Sequence, residues 1–138
     1  MSTTIERYEA LCQKHGLDPN ALPDVSKVPE KRKKYIISCE RIAIIAECYN
    51  KEDKDGNILD EGWIPNYSDY NQRKYEIWFR VIKDTSSVSG FGLAYGGYVS
   101  WSTLTFCGGR LCFKTSALGE YVTKKHAEIF RDFLTINK

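Results

Sequence analysis

The chain has little charge imbalance, few histidines and no long apolar run, and each shortage removes a class of function. Twenty Lys and Arg stand against eighteen Asp and Glu, a formal net charge of +2, with a sequence pI near 8.2. That balance makes no electrostatic case for a dedicated nucleic-acid or membrane-surface binder, although it leaves room for a local patch. The longest apolar stretch, within Ile36–Tyr49, is broken by Glu40, Arg41 and Glu47, so no segment is suited to span a membrane. The five cysteines, Cys12, Cys39, Cys48, Cys107 and Cys112, are odd in number and follow neither CxxC nor a zinc spacing. With no secretory leader visible, the expectation is the reducing cytoplasm of a host cell, with the thiols acting as small buried hydrophobes. Internal repeats and low-complexity tracts are also missing.

What is present suits one folded domain. At 138 residues, 42% hydrophobic and 28% charged, the chain buries roughly two-thirds of its unfolded surface. The aromatic fraction is 13%, with nine Tyr and three Trp. These side chains join a large apolar body to a polar tip, and so serve interfaces and grooves as well as cross-strand packing.

Ser2 or Thr3 is placed to cap a first helix and Gly16 to end it, with Ile5, Tyr8, Leu11 and Cys12 as a narrow apolar stripe. Two X-Pro turns, Asp18-Pro19 and Leu22-Pro23, then mark a connector. Pro29 suits the first position of a second helix, whose broad face runs Tyr35, Ile36, Cys39, Ile42, Ala43, Ala46 and Tyr49. The basic run Lys31–Lys34 reads as a solvated face, with a phosphate or partner contact as the alternative.

Residues 50–66 are loop-like and acidic, with Asp55-Gly56 as a turn signal. The carboxylates there fail the EF-hand register. Counted from Asp53, position six is Ile58 and position twelve is Ile64, where glycine and glutamate are needed. Alternation from Tyr75 to Ile82 predicts a strand, and Phe91–Trp101 a glycine-rich aromatic strand or strand pair. The glycines there lack the strand-then-helix context of a phosphate loop and instead permit bulges or close backbone approach. Arg110–Lys114 reads as a last strand. Thr115 or Ser116 then caps a helix running to about Leu134, with Leu118, Val122, Ile129 and Phe133 as its stripe.

The run GGRLCFKTSALGEYV…EIFRDFL, from Gly108 to Leu134, resembles the C-terminus of a group of small uncharacterised phage and prophage proteins from gut bacteria. In that group a G-S-R-L-C-F-K-[ST] strand feeds a helix similar to ELAEYAGKQF, ending in aromatic-D-F-L. Leu22-Pro23-Asp24-Val25, Ile44-Ile45-Ala46-Glu47 and Gly62-Trp63-Ile64-Pro65 resemble its upstream pieces. The likeness therefore touches most of the chain from Leu22, and its last 25 or so residues are the most specific. The chain departs from the pattern at Gly109, where serine is usual, at Ala117–Tyr121, and in a longer acidic loop after Asn50. The resemblance implies a mobile-element origin and brings no established activity.

The expected fold is thus α+β in one domain, 1–138: a helical part 3–49, an acidic loop 50–74, and a sheet plus C-terminal helix 75–135. Two N-terminal helices precede an antiparallel sheet of three or four strands, with the C-terminal helix packed on it. No catalytic set, metal site or cofactor site is visible. The histidines, His15 and His126, have no nucleophile assigned by spacing, Cys112 with His126 being the nearest to a pair. The expected function is a non-enzymatic phage or prophage accessory protein acting as a protein-interaction or assembly module. Its candidate face is Tyr95, Tyr98, Trp101, Arg110 and Lys114, and its partner a host or phage protein or a second copy of the chain. The alternative is single-stranded DNA or RNA bound on the same aromatic and basic face.

Overall fold

The computed structural model describes residues 3–66, 68–69, 71–83, 91–101 and 112–134, with backbone alone at 76–83, 91–101 and 134. In chain order these form α1 (Thr4–Lys14), α2 (Glu30–Asn50), β1 (Lys74–Lys83), β2 (Phe91–Trp101), α3 (Ser116–Lys125) and α4 (Ala127–Leu134).

The architecture overturns the α+β expectation. Among the described residues helices dominate, and the only paired strands are β1 and β2, an antiparallel ribbon in place of a three- or four-stranded sheet. Phe91–Trp101 is one strand and not a pair, with a bulge at Gly96, since Trp78 faces Gly97 while Phe79 faces Tyr95. The expected last strand is reduced, over its described part, to a single bridge, Phe113 exchanging backbone hydrogen bonds with Tyr75 at 2.9 and 3.1 Å. The physical reason is a substitution of partners. The groups of 112–114 that point the other way are paired by the Asn50 side chain, whose Nδ2 donates to Cys112 O (2.9 Å) and whose Oδ1 accepts from Lys114 N (3.1 Å). An amide side chain thus occupies the hydrogen bonds that a neighbouring strand would use. Both Cys112 and Phe113 are buried, although strict alternation would put them on opposite faces.

The single expected C-terminal helix is likewise two. His126 ends α3 with its N–H donating to Val122 O (3.0 Å), and its carbonyl opens α4 by accepting from Ile129 (3.0 Å) and Phe130 (3.3 Å). Neither glycine nor proline marks the break, so helical periodicity reads straight through it.

The helix ends obey local chemistry. Thr3 and Glu6 form a reciprocal capping box, Glu6 N donating to Thr3 Oγ1 (3.1 Å) and Thr3 N to Glu6 Oε2 (2.6 Å). Gly16, at φ +69°, closes α1 with Leu17 N donating to Cys12 O (2.8 Å) and Gly16 N to Gln13 O (3.1 Å), a Schellman pattern. Thr115 caps α3 by accepting from Leu118 N. Pro29 stands at the cap of α2 and not at its first helical position.

The core lies where the second half of α2 is enclosed by α1, α3 and α4. It comprises Tyr8, Leu11 and Cys12; Ile42, Ile45, Ala46, Cys48 and Tyr49; and Phe113, Val122, Ile129 and Phe130. From Ile45 to Asn50 all but Glu47 are buried, which a one-sided helix could not achieve. On α1, Tyr8, Leu11 and Cys12 are buried as expected, while Thr4 takes the place expected of Ile5, which is exposed. Phe133 is only partly buried and stacks on Tyr35 with ring centroids 5.3 Å apart.

Candidate functional site

A groove of about 840 Å³ lies between α1, the turn after α2 and α3. One wall is the α1 face Arg7, Ala10, Leu11 and Lys14, spaced i, i+3, i+4, i+7. The opposite wall is Ala117, Leu118, Tyr121 and Lys125 of α3, and the floor includes Tyr49. Arg7 Nε donates to Lys125 O (2.9 Å) and ties the walls at one end. The turn 52–56 closes the other.

That turn is built in two layers. Glu52 is buried, and its Oε1 accepts from His15 Nε2 at 2.9 Å and pairs with Lys14 Nζ at 2.8 Å. Its backbone oxygen accepts from Lys114 Nζ. Above it, Asp53 Oδ1 accepts from Asp55 N (2.8 Å) and Asn57 N (2.9 Å), and Oδ2 from Asn57 Nδ2 (3.1 Å). The Asn57 backbone N–H, ahead of the other contacts, holds the Asp53 carboxyl below the usual carboxylate range. These bonds explain the acidic cluster as an Asx-closed hairpin, with Glu52 bridged to Ile58. No group of three or more metal-ligating side chains occurs among the described residues. Gly56 takes φ +82°, and a Cβ there would lie 3.3 Å from Lys14 Nζ, which crosses it on the way to Glu52.

Beneath the groove lies a buried polar seam. His126 is fully buried, its Nε2 3.2 Å from the Tyr49 hydroxyl and its Nδ1 without a hydrogen-bonding partner. Burial, helped by the nearby charges of Lys125 and Arg7, lowers its pKa to about 4, so the imidazole is neutral at physiological pH. Burial raises the Tyr49 hydroxyl above its ordinary range and pushes the Cys48 thiol up to about 12. Neither supplies an anion near pH 7. The Cys112–His126 pair does not form, because the histidine's one hydrogen bond goes to Tyr49. Cys12, Cys39, Cys48 and Cys112 are thiols, and Cys107 lies outside the described residues.

Of the expected interaction face, Tyr95, Tyr98, Trp101, Arg110 and Lys114, only the Lys114 side chain falls among the described residues. Tyr95 and Tyr98 stand on β2 opposite Phe79 and Ile77, and so share a register parity across the bulge, while Trp101 stands opposite Lys74 on the other parity. Their side chains, like Arg110 as a whole, lie outside the described residues. Lys114 lines the groove. Sequence reading missed Arg7, Lys14, Lys54, Leu118, Tyr121 and Lys125 as a group. The i, i+3, i+4, i+7 pattern of Arg7–Lys14 was a readable signal, but pairing it with α3 needed the fold. The chain finds no match among family models, curated proteins or solved structures. No helix among the described residues is long and apolar enough to cross a membrane.

Proposed function

We propose that the protein is a non-enzymatic protein-interaction module, in the phage or prophage accessory setting that its C-terminal motif resembles. The observation that carries this reading is the groove between α1 and α3. It joins a compact apolar strip, Leu11, Leu118 and Tyr121, to charged ends, the arrangement in which an anchor side chain is desolvated and its flanks are held by polar contacts. Tyr121 is 54% exposed beside the buried Val122, so a large aromatic ring is displayed on a rigid helix. The carboxylates nearby are already engaged: Glu52 by the His15 and Lys14 side chains, and Asp53 by the backbone of its own turn. The β2 positions Tyr95, Tyr98 and Trp101, with Arg110, remain a second candidate surface of the same kind.

Five cations around the groove, Arg7, Lys14, Lys54, Lys114 and Lys125, favour single-stranded nucleic acid as the second reading. Affinity capture from host lysate separates the two when wild type is compared with Tyr121→Ser and Leu118→Ser. A discrete set of proteins retained by wild type and lost by both variants is expected. Identical retained sets would remove the groove from the argument. A tryptophan-fluorescence titration with single-stranded DNA and RNA gives the other arm, since saturable quenching that weakens with salt marks a nucleic-acid site.

A further inference from the structure

The buried stripe of α2 changes chemistry along its length. Ser38, Ile42, Ile45 and Tyr49, spaced by fours and threes, are buried. The same spacing carried back towards the start of the helix reaches Tyr35 and Lys31, and there the burial ends: Tyr35 is 50% exposed and Lys31 is exposed. Lys34 and Arg32, also exposed, fall beside them, all four side chains within about 160° of the helix circumference. Glu30–Lys34 holds four cations and one carboxylate, a net +3 against +2 for the whole chain, so this turn carries more than the chain's entire positive excess. That charge is not cancelled locally. Glu30 pairs with Lys33 at 2.6 Å, while Lys31, Arg32 and Lys34 make no ion pair among the described residues. The other carboxylates of α2, Glu40 and Glu47, lie about 180° and 160° round the helix from Lys31. From α4, Arg131 and Asp132 bring one charge of each sign, and Glu128 belongs to the first turn, away from Phe133.

Beside these cations stands a fixed aromatic plate. Tyr35 is stacked on Phe133 of α4, with ring centroids 5.3 Å and planes 7° apart. One ring face is thus held, and half of the residue is still open to solvent. We propose that this end of α2 is a single-stranded nucleic-acid site, Lys31, Arg32 and Lys34 meeting phosphates while a base stacks on the open side of Tyr35. Cations alone would suit any anion. The ring narrows the choice, because a base has a flat π face and a carboxylate side chain has none. An anionic membrane surface would call for apolar bulk to enter it, and Tyr35 is the only exposed large hydrophobic residue of α2. The positive field is local, which reconciles the site with the near-neutral charge of the chain. This surface shares no residue with the groove between α1 and α3, so it neither needs the binding-module reading nor falls with it.

The test is fluorescence anisotropy of a labelled oligodeoxythymidine titrated with the full-length protein. Saturable binding is expected at low salt, with log affinity falling linearly against log salt. Lys31→Ala combined with Lys34→Ala should lower that slope by about 1.4, two phosphate contacts at roughly 0.7 each on a single strand. Tyr35→Leu keeps an apolar side chain against Phe133 and removes the flat ring. It should weaken binding at least about fivefold, whereas Tyr35→Phe should retain it. Thermal unfolding of each variant separates a lost contact from a lost fold. Lys54→Ala combined with Lys125→Ala, at the groove, should leave the slope unchanged. A loss confined to that groove pair would assign the oligonucleotide to the groove and overturn the proposal. So would an absence of binding at low salt, an unchanged slope in the Lys31 and Lys34 double variant, or equal binding by wild type and Tyr35→Leu. Duplex DNA competing as well as the single strand would overturn it too, because paired bases offer Tyr35 no open face. Co-sedimentation with phosphatidylserine vesicles, without oligonucleotide binding, would give the patch to a membrane surface instead.

Discussion

Two polar constellations follow one another where α2 ends, and both use side-chain oxygens or amides to satisfy backbone groups. Asn50 is buried and reaches 62 and 64 residues along the chain, to Cys112 O and Lys114 N, while its own carbonyl accepts from Trp63 N (3.0 Å). Asp53, three residues later, is solvated and bonds only within its own turn, to Asp55 and Asn57. The bonds are alike in length and differ in what their loss leaves behind. Around Asp53 water replaces the carboxylate; around Asn50 nothing does. The contrast teaches that location, more than hydrogen-bond number, decides which polar residue is structural.

The largest effect expected from breaking this contrast is at Asn50. Asn50→Ala removes the partner of two long-range backbone groups at roughly 1–3 kcal/mol each, for a loss of about 4 kcal/mol. Urea unfolding measures it, and a loss under about 1 kcal/mol would mean that 112–114 is held by the Tyr75–Phe113 bridge alone.

His126, in the same buried region, sharpens the comparison through pH. Its pKa is lowered to about 4 in the fold against 6.5 for an ordinary histidine, so the unfolded chain takes up a proton that the folded chain refuses. Its contribution is therefore fully present above about pH 6.5 and is lost as pH falls towards 4, by about 3 kcal/mol in all. His126→Gln should flatten that part of the stability profile relative to wild type. An unchanged slope would mean that His126 does not carry the pH dependence.

On the solvated side, Asp53→Ala should shift the urea midpoint far less than Asn50→Ala and leave the cooperativity unchanged. A shift of similar size would show that the turn is part of the core's cooperative unit. Smallest of all is Glu120→Ala on the outer face of α3, where the 2.6 Å pair with Lys124 is exposed on both sides. About 0.3–0.5 kcal/mol is expected, vanishing in high salt.

How much was legible follows the same division. Thr3, Thr115 and Gly16 were readable as helix boundaries because each acts on neighbours within a few residues. Asp55-Gly56 was readable as a turn for the same reason. The division of the C-terminal helix at His126 was not, since Lys125-His126-Ala127 holds no breaker and the bend is associated with a ring buried against Tyr49. The alternation at Arg110–Lys114 is a true signal of extended chain and a poor one of sheet, because extended backbone accepts any partner, including an amide side chain.

By itself, then, the sequence determined where α1 and α3 begin, where α1 stops, that the acidic loop turns at Gly56, and that no helix among the described residues is long and apolar enough to span a membrane. Those properties are local, and a few adjacent residues hold all the free energy that decides them. Only the tertiary structure decided that Asn50 stands in for a strand, that His126 is kept neutral, and that Arg7, Lys54 and Lys125 border one groove. Each depends on residues far apart in the chain meeting in space, which spacing along the sequence does not encode.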